Sequence, residues 1–206
     1  KLTDESIHIF SGYDCDSLAL EPITNFFSIC MEKLSIPKNI LIELRTKSTQ
    51  INFLMKRRPS RNYLIAFTLN PEDIVSEYEC KTPSLYKRLE SIKRLNSNGW
   101  KIGLRFDPIL ITKNFRILYK NFFHFVFSYL EKIEIHSITI GSFRMPYNYY
   151  KEIIKIHPNE KILFSNIEKS KKDVSYTQNL KEDALIFAKK EILKYASNEI
   201  LFVNKN

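Results

Sequence analysis

Five short apolar runs along the chain each end in a cluster of polar residues, and helix-like segments separate most of them. With their polar tails, the runs read IHIF-SGYDCDS, ILIEL-RTKS, YLIAF-TLN, KIGL-RFD and ITI-GSFR. Such alternation predicts parallel strands connected by helices, because a parallel connection needs a long crossover. The carboxyl ends of parallel strands lie on one face, so the polar tails would converge there and build a site.

The segments between the runs carry the spacing of amphipathic helices. Leu85, Leu89 and Ile92, for example, fall on one helical face, and Gly99 is placed to end that helix. We predict helices over residues 22–34, 84–98, 115–132, 147–156 and 181–195, and short peripheral strands over residues 162–164 and 200–203.

An α/β fold follows from this alternation, and an open partial β/α barrel fits it best. A doubly wound parallel sheet is the alternative, but the Gly-rich phosphate loop that usually follows its first strand is absent. Gly103 and Gly141, within or at the ends of strands, indicate either close backbone approach or simple packing. We expect residues 1–146 to form the partial barrel and residues 147–206 to form a helical and mixed extension packed on it.

Composition places the chain in a broad class. With 206 residues, 44% of them hydrophobic, it can bury a substantial core. The apolar stretch over residues 122–130 is interrupted by His124 and is too short to cross a bilayer, so we expect no membrane contact. Cys15, Cys30 and Cys80 are irregularly spaced and odd in number, which argues against a disulfide framework and predicts a reducing, cytoplasmic location.

The chain is basic, with a formal net charge of +9 and a pI of 9.3. Such a charge favours association with polyanions, because each neutralised phosphate releases counterions. DNA or another nucleic acid is therefore a predicted partner. The alternative is a biased composition, rich in lysine, asparagine and isoleucine, whose lysines form a solvated surface.

Three side chains at the predicted strand ends have the chemistry of ligand contacts. Lys47 lies just beyond a strand, where its ammonium can hold a carboxylate or phosphate, or can be an ordinary surface charge. Thr68 and Asn70 follow the next strand with one residue between them, so their side chains point to the same side. Together they can satisfy two ribose hydroxyls, or they can cap the turn at Pro71.

Four ordered motifs resemble the spore photoproduct lyase family of radical S-adenosylmethionine enzymes. In that family a TK pair ends one strand, F-S-x-N ends the next, T-S/P-L-x-x-R-I/L-E-A begins a helix, and A-G-x-x-x-G-x-x-x-x-P-I follows. Residues 46–47, 67–70, 82–90 and 98–109 occupy those places here. The resemblance covers roughly residues 11–144 and weakens towards the C-terminus.

The resemblance implies a partial barrel that binds S-adenosylmethionine across its strand tips. Lys47 would engage the methionine carboxylate and Thr68 the ribose, with Asn70 as a supporting contact. In true spore photoproduct lyases a cysteine near the loop after the first run donates a hydrogen atom to the product radical. Family members read G-E-F-T-D-S-L where this chain reads GYDCDSL, so that position falls on Asp16, one residue after Cys15. Cys15 is therefore either a hydrogen donor or a structural cysteine.

Two arginines complete the predicted polar rim. Arg144 in GSFR resembles the H-R-F element of the family, displaced by one residue, and its guanidinium can hold a phosphate or carboxylate bidentately. Arg105 is a second substrate-binding candidate, although a structural ion pair with Asp107 is the interpretation we favour.

The family's chemistry requires a [4Fe-4S] cluster held by C-x3-C-x2-C, with S-adenosylmethionine on the open iron. This chain lacks the motif, so we assign it no metal ligands. Because it begins at Lys1 without a Met, we expect a missing N-terminal portion that carries the first β/α unit and the cluster. A degenerate homologue that forms no radical is the other explanation. Because Lys47, Thr68 and Asn70 are retained, we favour the explanation that the chain is a fragment of a longer enzyme.

The leading functional hypothesis is a radical lyase-like enzyme that acts on a DNA lesion or a related nucleic-acid substrate. A 5′-deoxyadenosyl radical would abstract hydrogen from the substrate, and a reductant protein of unknown identity would supply the electron. The competing hypothesis is a noncatalytic domain that kept the barrel and a basic nucleic-acid-binding surface. A conventional acid/base enzyme is disfavoured, because the sequence offers no evident pair of histidine and carboxylate.

Overall fold

The computed structural model describes residues 5–12 and 15–204, which form nine strands and eight α-helices. The strands are β1 (Ile7–Ser11), β2 (Ile40–Thr46), β3 (Tyr63–Thr68), β4 (Lys101–Ile109), β5 (Ile135–Ser142), β6 (Arg144–Pro146), β7 (Ile167–Lys169), β8 (Asp173–Tyr176) and β9 (Leu201–Asn204). The α-helices are α1 (Glu21–Thr24), α2 (Phe26–Lys33), α3 (Asn52–Met55), α4 (Glu72–Tyr78), α5 (Leu85–Ser97), α6 (Phe115–Tyr129), α7 (Tyr147–Ile156) and α8 (Gln178–Ile192).

The strands form two sheets. The larger sheet has the order β1-β2-β3-β4-β5-β9, and the smaller has the order β6-β8-β7 with antiparallel pairing. Strands β1 to β4 pair in parallel, as predicted from the alternation of apolar runs and helices. Their carboxyl ends therefore lie along one edge of the sheet.

The two faces of the β2–β4 sheet differ in chemistry, because side chains alternate along each strand. The register places Ala66 opposite both Arg45 and Gly103, and it places Thr68 opposite Arg105. This face, which also carries Glu43, is polar. The other face is apolar and fully buried, and its side chains include Leu44, Ile65, Phe67, Ile102 and Leu104.

Helix α5 shows how the local sequence sets the boundaries of an element. The Ser84 side chain caps its first turn by accepting a hydrogen bond from the Lys87 amide at 3.4 Å. Gly99 follows the last turn with a φ of +90°, a conformation that glycine adopts without strain. The apolar stripe predicted from the sequence is buried along the whole helix.

The chain divides into two compact units. One contains the described residues of Lys1–Arg105 together with His124–Ile138, and the other contains Phe106–Phe123 and the described residues of Thr139–Asn206. The predicted domain boundary after residue 146 stays a prediction. Within the described residues, no helix is both long and apolar enough to span a membrane.

Four predicted elements differ from the observed ones by more than one residue. Helix α6 ends three residues before its predicted end at residue 132, and α8 lies three residues earlier than predicted at both ends. The helix expected over residues 22–34 is broken into α1 and α2 at Asn25, whose φ is +51°. The buried Glu21 carboxylate then accepts hydrogen bonds from the amides of Phe27 and Ser28 at 3.0 and 2.8 Å, which caps the second helix. The strand expected over residues 162–164 is wrong, since Lys161–Leu163 form a 3₁₀ turn.

Candidate functional site

The ends of β2 and β3 bring the three predicted ligand-binding side chains together. Lys47 follows β2, Thr68 ends β3, and Asn70 lies two residues further on. The Lys47 Nζ atom and the Asn70 Nδ2 atom both contact the same carboxylate oxygen, Oε1 of Glu79, at 3.0 and 2.9 Å. The predicted convergence of these strand ends is therefore observed.

An arginine on α5 completes this cluster. Arg88 is 0% exposed, and its Nη2 atom donates to Glu79 Oε2 at 2.6 Å and to Thr82 Oγ1 at 2.7 Å. Its Nη1 atom donates to the carbonyl of Thr68 at 3.0 Å, and its Nε atom donates to the carbonyl of Pro83 at 2.9 Å. We call Lys47, Thr68, Asn70, Glu79 and Arg88 the strand-end cluster.

Sequence reasoning missed Glu79 and Arg88 as members of the site. A signal for Arg88 was present, because it lies three residues after Leu85 and four before Ile92, on the buried stripe of α5. A charged residue on an apolar stripe needs a buried partner of opposite charge. Glu79 follows α4 in a connecting segment, where no periodic pattern predicts its position.

The charges of the cluster stabilise one another. Burial by itself raises the pKa of Glu79, but the positive charges of Lys47 and Arg88 and the hydrogen bonds from Asn70 and Arg88 outweigh burial and hold that pKa below its ordinary value. One carboxylate with two cations leaves a net charge of about +1, which suits a monoanionic ligand group.

The cluster has unfilled hydrogen-bonding capacity. Asn70 is 1% exposed, and its Oδ1 atom has no hydrogen-bond partner among the described residues. The orientation of its amide is fixed, because only the NH₂ group can donate to the Glu79 carboxylate. In the described part of the chain the Thr68 hydroxyl also lacks a protein partner, and the Lys47 side chain is 35% exposed. An ammonium, a hydroxyl and an acceptor oxygen are thus available to a ligand.

Asp16 ties the loop after β1 to the end of β2. Its Oδ1 atom accepts hydrogen bonds from the amides of Leu18 and Ala19 and from Thr46 Oγ1, at 2.8, 2.9 and 2.7 Å. Its Oδ2 atom accepts from the Lys47 amide at 2.6 Å. These four bonds connect the loop after β1 to the backbone at Thr46 and Lys47, so Asp16 has a structural role.

Cys15, directly before Asp16, is an exposed free thiol. Gly12, three residues before it, has a φ of +77°, and a Cβ atom there would lie 2.4 Å from the Cys15 carbonyl oxygen, so only glycine fits at that position. The loop positions predicted from GYDCDSL also include residues 13 and 14, which lie outside the described residues. The predicted catalytic roles of Cys15 and Asp16 stay predictions.

Arg105, on β4, forms a second network on the polar face of the sheet. It is 2% exposed and makes a two-pronged pair with the fully buried Glu43, with Nε–Oε1 at 2.9 Å and Nη2–Oε2 at 2.7 Å. It also donates to the carbonyl and hydroxyl of Ser137 at 3.1 and 3.0 Å, and Arg45 donates to Glu43 at 3.1 Å. The predicted pair of Arg105 with Asp107 is wrong. Since its guanidinium is fully engaged, substrate binding by Arg105 would require breaking these bonds.

In the other compact unit, Asp107 pairs with Arg144 instead. The two side chains form two hydrogen bonds at 2.9 and 3.1 Å, and Arg144 is 30% exposed. A Cβ atom at Gly141 would lie 2.6 Å from the Asp107 carboxylate, and one at Gly103 would lie 2.9 Å from the Arg105 guanidinium. Of the two alternatives left open for these glycines, the structure shows tight packing of a side chain against each of them.

Comparison with known proteins matches residues 6–195 of the chain to the family model of spore photoproduct lyase. The chain belongs to the spore photoproduct lyase family. The resemblance stated from the sequence is therefore confirmed. Spore photoproduct lyase from Clostridium acetobutylicum is 26% identical over 117 residues, which are 57% of this chain and 34% of that protein.

Solved structures of spore photoproduct lyase share the fold. One complexed with dinucleoside spore photoproduct superimposes with a TM-score of 0.85 at 15% identity, covering 98% of this chain and 62% of that one. A variant with bound AdoMet and dinucleoside spore photoproduct has a TM-score of 0.84 over the same shares. The predicted α/β partial-barrel fold is confirmed. The chain spans about a third of the curated relative and under two thirds of the solved chains.

The two cofactors implied by the family fit this chain unequally. The open groups of the strand-end cluster fit S-adenosylmethionine, because an unpartnered buried amide oxygen and an exposed ammonium complement ribose hydroxyls and a carboxylate. The described residues do not fit a [4Fe-4S] cluster. Cys15 and Cys80 are exposed, Cys30 is half-buried, and no group of three potential metal ligands occurs in residues 5–12 and 15–204.

Proposed function

We propose that this chain is the S-adenosylmethionine-binding part of a radical enzyme of the spore photoproduct lyase family, and that the enzyme acts on a DNA lesion. The observation that carries the proposal is the strand-end cluster, which holds Lys47, Thr68 and Asn70 together and leaves the Asn70 Oδ1 atom without a partner. A structural turn alone would not need a buried, unpaired acceptor next to an exposed ammonium.

Each open group has a role in this proposal. The Lys47 ammonium binds the methionine carboxylate while it keeps its contact with Glu79, since an ammonium has three donors. The Asn70 Oδ1 atom accepts from one ribose hydroxyl, and the Thr68 hydroxyl bonds to the other. Glu79 and Arg88 hold these side chains in place before the ligand arrives, which lowers the entropic cost of binding.

Lys47, Thr68 and Asn70 would hold S-adenosylmethionine, which would supply radical chemistry for hydrogen abstraction once a reductant donates an electron through a [4Fe-4S] cluster bound outside the described residues. Cys15 is the residue of this chain that we propose as hydrogen donor to the product, because its thiol is exposed whereas the Asp16 carboxylate is engaged in four hydrogen bonds. We propose Arg144 as an anion contact for the substrate.

A nucleic-acid substrate is proposed on two grounds. Solved relatives bind dinucleoside spore photoproduct, and this chain carries a net charge of +9, which favours polyanions. We also propose that the enzyme is cytoplasmic and that a reductant protein supplies its electron.

The test uses the full-length protein, reconstituted anaerobically with iron and sulfide and supplied with S-adenosylmethionine, dithionite and dinucleoside spore photoproduct. We expect formation of 5′-deoxyadenosine and loss of the photoproduct. Binding of S-adenosylmethionine with neither product would contradict the lyase proposal and leave only the binding role.

The positive charge favours a second candidate, a noncatalytic nucleic-acid-binding domain. It predicts DNA binding that weakens steeply with salt, with no measurable affinity for S-adenosylmethionine. A salt-independent response would remove the nucleic-acid partner from both candidates.

A further inference from the structure

A cavity of about 230 Å³ lies at the amino-terminal ends of the strands, away from the strand-end cluster. Tyr63, the first residue of β3, and Trp100, just before β4, line it. The amino and carboxyl ends of β3 are about 16 Å apart, since a strand rises about 3.3 Å per residue. The cavity is therefore separate from the proposed cofactor site.

The inner wall of the cavity holds an unsatisfied polar group. Tyr63 is 3% exposed, and its hydroxyl has no hydrogen-bond partner among the described residues. Burial, with a smaller effect of Cys30, raises the pKa of Tyr63 above its ordinary value, so the phenol stays a neutral donor at physiological pH. Buried hydroxyls normally have a partner, so this one lacks an acceptor.

The rest of the wall combines apolar side chains with polar and cationic ones. Met31 and Leu34 contribute aliphatic surface next to the Trp100 indole, which is 2% exposed. Arg57 and Arg58, within the basic sequence KRRPSR, also line the cavity, together with Ser60 and Asn62.

The two arginines differ in how far they are engaged. Arg57 donates to Ser28 at 2.8 Å and lies 3.7 Å from Glu32. Arg58 is exposed and makes no hydrogen bond or ion pair with any described residue. A charge without a counter-ion among the described residues therefore lines the cavity.

We propose that this cavity binds a small aromatic or heteroaromatic anion. The flat apolar body of the ligand packs against Met31, Leu34 and Trp100, its negative charge pairs with Arg58, and an acceptor atom takes the hydrogen bond of the Tyr63 hydroxyl. This combination of an apolar wall with a few directed polar groups is typical of small-molecule sites. The proposal does not depend on the strand-end cluster or on radical chemistry.

The experiment titrates the full-length protein with anilinonaphthalene sulfonate, an aromatic anion whose excitation overlaps tryptophan emission. Trp100 is the only tryptophan of these 206 residues, so energy transfer that is lost in a Trp100→Phe variant reports binding within transfer distance of Trp100, and the Arg58 and Tyr63 variants test whether it occurs in the cavity. Arg58→Gln removes the proposed charge contact. Arg61→Gln is the matched control, because Arg61 is an exposed arginine of the same basic segment that does not line the cavity. Tyr63→Phe removes only the hydroxyl.

We expect saturable transfer that Arg58→Gln weakens about tenfold, the usual size of one charged hydrogen bond. Tyr63→Phe should weaken it about threefold to tenfold. Arg61→Gln should change it by less than about twofold, because a screened surface charge contributes little. Equal losses in the two arginine variants would show general attraction to a basic surface and overturn the proposal. So would an absence of saturable transfer, or affinity that neither Arg58→Gln nor Tyr63→Phe alters.

Discussion

Two buried carboxylate–arginine networks, one around Glu43 and one around Glu79, differ in what they leave unpaired. Around Glu43, both carboxylate oxygens and all three nitrogens of the Arg105 guanidinium have protein partners. Around Glu79, the carboxylate is equally well paired, but the Asn70 Oδ1 atom beside it is not. The network around Glu43 therefore offers a ligand no free hydrogen-bonding group on Arg105, whereas the cluster around Glu79 retains one unpaired acceptor.

The largest expected effect tests the network around Glu43. Arg105→Met leaves the buried Glu43 with Arg45 as its remaining arginine partner, and we expect the free energy of unfolding to fall by about 3–5 kcal/mol, the usual cost of breaking a buried pair. Urea denaturation measures it. The matched control is Arg45→Met, whose side chain is 33% exposed and should cost under about 1 kcal/mol. Similar losses in both variants would contradict the distinction between a buried and a peripheral partner.

The next effect tests the open acceptor. Asn70→Ala removes one hydrogen bond to Glu79 but also removes a buried atom that has no partner, so we expect stability to change by less than about 1 kcal/mol. Affinity for S-adenosylmethionine should fall about tenfold, measured by equilibrium dialysis of the full-length protein. Ser137→Ala is the control from the network around Glu43.

Ser137→Ala should lower stability by about 1–2 kcal/mol because Arg105 loses an acceptor, and it should leave the affinity unchanged. If both variants lost affinity alike, the two networks would not divide their functions as described.

The smallest effect is a dependence of stability on pH. Burial opposes ionisation of both Glu43 and Glu79, but the neighbouring cations and hydrogen bonds prevail and lower both pKa values. An unfolded glutamate binds its proton near pH 4.3, above the folded pKa, so stability is lost as the pH falls below about 4.3. Thermal unfolding between about pH 3 and pH 7 should therefore show a steep acid limb, which Glu79→Gln and Glu43→Gln each make shallower. An unchanged limb in both variants would assign acid sensitivity to other groups.

Reasoning from the ends of parallel strands predicted three residues of the strand-end cluster, but it did not predict the Glu43–Arg105 network. Lys47, Thr68 and Asn70 were found because residues after parallel strands must meet at one edge. The same reasoning grouped Arg105 with these residues as a ligand-binding candidate. A sequence shows where a strand ends, but it does not show which carboxylate an arginine contacts. Glu43 lies on a different strand, 62 residues away from Arg105. The Asn70 Oδ1 atom lacks a partner while Glu79, in a connecting segment, accepts from the amide nitrogen, and no strand-end pattern predicts that contact.

Local elements show the same limit. The break between α1 and α2 depends on the left-handed conformation of Asn25 and on the cap formed by the Glu21 carboxylate. The spacing of apolar residues predicts neither feature. The antiparallel strands β6, β7 and β8 have three or four residues each, too few for any period to be read. Helix α5 was predicted to within a residue at each end, because many positions repeat the same pattern, whereas α8 lies three residues earlier than predicted at both ends.

The central claim is that the strand-end cluster binds a carboxylate-bearing nucleoside while the Glu43–Arg105 network only supports the fold. Equilibrium dialysis of S-adenosylmethionine against full-length wild-type, Lys47→Ala and Lys47→Arg proteins tests it most directly. We predict that Lys47→Ala weakens binding about 10- to 100-fold, as expected for a lost charged hydrogen bond, and that Lys47→Arg restores part of the affinity. Equal affinity in the wild-type and Lys47→Ala proteins would contradict the account.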